Sequence, residues 1–158
     1  DDGRVDGAAL WDPFLSQAQK PGRKILFTSR EIPAEVIDVL GVRADLLQNR
    51  AADIDMVVRR VHEEVDLFAA NHDHAVQMVS SLNELTPDMA DKSLQSVHFV
   101  TATENVALFD RSGQGASLWK TYTLAANFLK SHGMLRHPVH PPEELIDNRA
   151  LTRVAEPK

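Results

Sequence analysis

The strongest constraint lies in the middle of the chain, where Ile54, Val57, Val58, Val61, Val65 and Phe68 recur at helical spacing from Ala51 onward. That period puts one apolar stripe on an amphipathic α-helix and leaves the charged residues between them on the other side. A helix of this length must lay its stripe on something, so the rest of the chain has to supply a core. With 158 residues and 43% hydrophobic content, a single ordinary domain would bury about 70% of its unfolded surface.

On either side of this stripe the pattern predicts further elements. Val5 to Trp11 is a short run of small apolar residues stopped by Asp12-Pro13, the signature of a buried parallel strand followed by a helix start. Pro13 suits a first helical turn, and Phe14 to Lys20 supplies that helix. After the Pro21-Gly22 break, Arg23 to Ser29 reads as a second strand, and Val36 to Val42 as a third, followed by a short helix over Ala44 to Asn49. Asn71 and His72 interrupt the long helix, and Ala75 to Leu82 continues as another. Thr86-Pro87 marks a capped helix start, Val97 to Val100 a brief extended piece, and Thr103 to Phe109 and Leu118 to Ser131 two more helices, the last stopped by Gly133. Pro138, Pro141 and Pro142 make 137–158 a tail over the surface.

Several function classes fall away on composition. The net charge of -6, with 17 basic and 23 acidic residues spread along the chain, offers no footprint for phosphate backbones, so nucleic acid is excluded as a partner. No apolar run reaches the roughly 18 to 20 residues of a membrane span. Cysteine is absent, which removes disulfides, thiolate metal sites and a cysteine nucleophile. His72-Asp73-His74 points apart on a helix and has no third partner, so no metal is expected, and no cofactor either. His62-Glu63-Glu64 lacks the second histidine of a zincin helix and reads as a solvated face. Gly113-Gln114-Gly115 is a loop rather than a phosphate cradle, and no nucleophile elbow appears. The chain opens Asp1-Asp2-Gly3-Arg4 without Met, so a secretion signal is expected in a part removed or lying elsewhere.

Two clusters carry candidate chemistry. Trp11 and Asp12 follow a predicted strand, where open α/β sheets bind ligands. Trp11 would be a flat wall with an indole donor, and Asp12 an acceptor for an amine or hydroxyl. The same residues are read equally well as a core tryptophan and a helix N-cap. Thr28, Ser29 and Arg30 could hold an anionic head group with two hydroxyls and a guanidinium. They also fit structural caps, with Arg30 paired to Glu31 or Glu35.

Taken in order, VDGAALWDPFLSQA, KILFTSREIP, VIDVLGVRADLLQN, TENVALF and NFLKSHGML resemble the nitrate, sulfonate, taurine and thiamine-precursor family of solute-binding proteins of ABC importers. The resemblance covers roughly Val5 to Asp147. It implies an α/β fold, the C-terminal part of a two-lobed type II periplasmic binding protein, helix-rich with about three short strands. Residues 1–22 would end the second lobe, 23–35 cross the hinge, 36–136 complete the first lobe, and 137–158 form the proline-rich tail. Trp11, Asp12, Thr28, Ser29 and Arg30 would then face the ligand cleft, with Glu31, Ile32 and Pro33 at the hinge. The implied function is non-catalytic capture of a small solute and its delivery to a membrane permease, in a periplasmic or lipid-anchored extracellular setting. A missing N-terminal portion, or a second copy paired along exposed sheet edges, would complete the fold. Some relatives of this broad fold consume an active-site histidine to make a thiamine pyrimidine precursor. That enzyme and a ligand-sensing module are the alternatives.

Overall fold

The computed structural model describes residues 4–112 and 117–155. Helices take up 59% of the chain, and among the described residues there is no strand, so the expected α/β architecture with about three strands is not what forms. Val5 to Trp11, the Lys24 to Phe27 stretch, Val36 to Val42 and Val97 to Val100 all lie outside regular structure. The reason is pairing. Isolated strands leave their backbone donors and acceptors unmet, and parallel neighbours must be brought together by crossovers of a dozen residues or more. The helix between the first two runs, α1 (Phe14–Ala18), is only five residues long. These runs are also apolar on both faces, so each needs cover from two sides as well as a neighbour. Ile25, Leu26, Phe27, Val36, Val39 and Leu40 are accordingly exposed, Leu26 to 90%.

As far as Ser131 the helices follow their sequence signals closely. They run α2 (Ala44–Asn49), α3 (Ala51–Ala70), α4 (His72–Asn83), α5 (Pro87–Ser96), α6 (Ala102–Leu108), α7 (Leu118–Ser131), α8 (Pro142–Leu145) and α9 (Arg149–Ala155). Caps set their starts. Asn71 accepts from the His74 N–H at 3.1 Å, Thr86 from Met89 at 3.3 Å with Pro87 in the first turn, and Ser117 from Lys120 at 3.3 Å. Thr101 and Glu104 form a reciprocal capping box at α6. Gly133, at φ +65°, ends α7 in the left-handed region where glycine carries no Cβ penalty. The segment 137–158, expected to be an irregular tail, instead carries α8 and α9. Pro141 and Pro142 start α8 rather than block it.

The chain divides into two compact units. One comprises residues 4–26 with Asp66–Phe99, the other Phe27–Val65 with residues 100–112 and 117–155. In the first, α4 packs on α5, and Ala75 and Ala90 are its buried apolar side chains. Small side chains let the two backbones approach closely. Phe68 meets the Phe99 ring edge-to-face at 5.5 Å, and His72 Nε2 lies 2.7 Å from Asp91 Oδ1. In the second, α6 packs on α9, where Leu151 is buried, and α7 on α8. Tyr122 donates its hydroxyl to the His140 carbonyl at 2.5 Å, fastening the proline-rich stretch to α7. Buried hydrophobic residues are few among those described, and the sizeable core expected from length and composition does not form. No helix among the described residues is long and apolar enough to cross a membrane.

Candidate functional site

Trp11 and Asp12 stand at the entry to α1. Asp12 Oδ1 accepts from the Ser16 backbone N–H at 3.1 Å and from the Ser16 hydroxyl, so the carboxylate serves the first turn of the helix. Oδ2 takes no part in either bond. Trp11 is 71% exposed, and its ring meets Phe14 edge-to-face at 6.2 Å. The corner therefore presents a flat indole beside a carboxylate held in place by Ser16.

Thr28, Ser29 and Arg30 belong to the other unit. Thr28 donates its backbone N–H to Glu31 Oε1 at 2.8 Å, and Glu31 donates back to the Thr28 carbonyl at 3.0 Å, closing a 3₁₀ turn over Ser29–Glu31. Ser29 and Arg30 are exposed on that turn. Ile32 and Pro33 follow it, and the Ile32 carbonyl accepts from Glu35 at 3.1 Å in the next turn. Glu31 is thus committed to a local cap.

A groove of about 550 Å³ in the second unit was not apparent from the sequence. Pro33, Glu35, Arg111, Trp119, Lys120 and Asn127 are among its lining residues. The Arg111 guanidinium sits 3.9 Å above the Trp119 ring centre, a cation–π stack, and 3.6 Å from a Glu143 carboxylate oxygen. Trp119 donates its indole N–H to the Phe109 carbonyl at 2.9 Å, and Thr121 its hydroxyl to Ala34 at 2.6 Å. The groove's polar groups are in large part spent on holding the unit together. No spacing rule links Ala34 to Thr121, which is why reading along the chain misses this site. Gly113-Gln114-Gly115 lies outside the described residues.

The histidines disperse. His62, read as part of a solvated face, is 8% exposed, and its Nδ1 has no hydrogen-bond partner among the described residues. His72 pairs with Asp91 and His140 with Glu144 at 3.2 Å, while His132 stacks on Phe128 at 4.2 Å. Among the described residues no group of three or more His, Asp or Glu is placed to hold a metal ion.

The shifted carboxylates are structural. Hydrogen bonds from Arg153 hold Asp55 below the usual carboxylate range, against a smaller opposing effect of desolvation. Arg149 does the same to Asp147. Neither belongs to the corner at Trp11 or the turn at Thr28.

No protein-family model matches the chain, and no curated protein or solved structure matches it.

Proposed function

We propose that this chain is part of the capture component of an ABC importer, a protein that binds a small solute reversibly, with no bond made or broken, and passes it to a membrane permease in the periplasm. The observation that carries this reading is the Trp11–Asp12 corner, an exposed indole face beside a carboxylate fixed by Ser16. An indole wall and a preorganised acceptor suit a small solute with an apolar body and a hydrogen-bond donor such as an amine. Ser29 and Arg30, exposed on their turn, suit an anionic group. Taken separately, the first cluster favours an amine and the second a sulfonate or carboxylate. The five ordered motifs resembling the nitrate, sulfonate and taurine binders favour the same class.

The exposed apolar runs at Ile25–Phe27 and Val36–Leu40 support a requirement for further protein, either another portion of a longer polypeptide or a second copy. Calorimetric titration of the full-length polypeptide with taurine, other amino-sulfonates, nitrate and amino acids tests the reading. Saturable binding that D12A weakens by about tenfold or more is expected, since a hydrogen bond to a charged group contributes about 1.5–3 kcal/mol. An absence of heat with every sulfonate, carboxylate and amine overturns it.

A further inference from the structure

The stretch between the turn at Pro33–Glu35 and the start of α2 is irregular backbone in the second unit. Residues 37–43 lie in no helix, strand or turn, and no residue from Val36 to Val42 makes a backbone hydrogen bond to another described residue. Apart from Asp38, its side chains from Val36 to Val42 are apolar or absent; Val39 is 68% exposed, Val36 and Leu40 are exposed as well, and Ile37 and Val42 are half-buried. Around Gly41 there is open space where a side chain would stand.

We infer that this segment is an interface between two copies of the chain, pairing with itself as antiparallel strands about a two-fold axis at Val39. Charge sets the register. Glu35 and Arg43 lie four residues to either side of Val39, so this axis brings Glu35 of each copy opposite Arg43 of the other, twice. Opposite charges directly across a ladder stabilise it and like charges oppose it. An axis at Asp38 would set two carboxylates against each other. A parallel in-register pair would stack Glu35, Asp38 and Arg43 each on its own kind. The register that matches Asp38 with Arg43 would carry Val36 onto Asp45, which is already within α2. Arg43 now grips Asp45 through Nε at 3.0 Å and Nη2 at 2.5 Å. Its five donors leave room for a second carboxylate.

With the axis at Val39, Ile37 faces Gly41, Val36 faces Val42 and Asp38 faces Leu40. The two Val39 side chains meet at the axis. The pairing gives this backbone protein partners and covers the exposed Val36, Val39 and Leu40 in one step. It stands whether or not the solute reading holds.

The absence of cysteine makes the test direct. V39C creates a single thiol that meets its own copy across the ladder at a Cα separation of about 4.5–5.5 Å, within disulfide reach. V36C places its two thiols about 20 Å apart, six residues out of step at ~3.4 Å each. With oxidised glutathione as electron acceptor, V39C is expected to form covalent dimer at least about tenfold faster than V36C. In sedimentation equilibrium, E35R and R43E each weaken the dimer, and the doubly swapped E35R/R43E chain recovers it, with helicity by circular dichroism unchanged throughout. A chain that sediments as a 17.6 kDa monomer at every soluble concentration overturns the proposal. Equal cross-linking of V39C and V36C, or a double swap that stays as weak as either single, overturns it too.

Discussion

Arg153 reaches from α9 to Asp55 on α3 with two parallel hydrogen bonds, Nε to Oδ2 at 2.7 Å and Nη2 to Oδ1 at 2.6 Å. The pair joins residues 98 positions apart, and its planar fork fixes the angle at which the last helix meets the unit.

This pairing makes stability depend on acidity with a definite sign. The folded-state pKa of Asp55 is depressed, chiefly by the Arg153 hydrogen bonds. Its contribution is therefore fully present above the unfolded value, about 3.9, and is lost as pH falls through the lower folded value. D55N is expected to lower the thermal midpoint at pH 7, and the difference from the parent should vanish at low pH. Thermal melts across pH 2.5 to 7, followed by circular dichroism, check this. A constant difference at all pH values would mean the carboxylate charge is not what holds α9.

Between α4 and α5, Ala90 has no exposed surface. A90L forces three extra heavy atoms into that contact and should cost about 1–3 kcal/mol. L82Q, at an exposed position on α4, should change stability by about 0.5 kcal/mol or less. Urea unfolding of the two variants separates packing from propensity.

Helix caps offer a further measurement, because T101A removes the acceptor for the Glu104 N–H. The expected loss is about 1 kcal/mol, with T101S close to the parent. If T101S falls as far as T101A, the hydroxyl is not what caps the helix.

The two tryptophans differ enough to be told apart optically. Trp11 is exposed beside Phe14, whereas Trp119 is half-buried under Arg111 with its N–H bonded to Phe109. The emission of W119F, which reports Trp11 alone, should be red-shifted and readily quenched by acrylamide. W11F should emit further to the blue and resist quenching.

The helical part of this fold was legible because its signals are local. The stripe from Ile54 to Phe68, the Thr86-Pro87 start and the Gly133 stop each act within a few residues, and α3, α5 and α7 form where those signals stand. The strands were not, because Val36 to Val42 has the right residues but needs a neighbour that no reading of its own composition can provide. α9 was hidden by the proline density just before it, although Leu151 and Arg153 are the residues that dock it. His62 was misjudged for a similar reason, its two glutamate neighbours masking a position on the buried side of the helix. At the Trp11–Asp12 corner, Asp12 bonds Ser16 one residue ahead of the N-cap, which is Pro13, and the exposure of the indole depends on which elements fail to cover it.

The docking of α9 also bears on how long the protein lasts. Local opening of α9 has to break two attachments at once, buried Leu151 and the grip of Arg153 on Asp55. Removing it uncovers α6 and strands a carboxylate on α3 in the same step. A change that loosens this seven-residue helix therefore raises the share of opened molecules and shortens the protein's lifetime without touching the Trp11 corner.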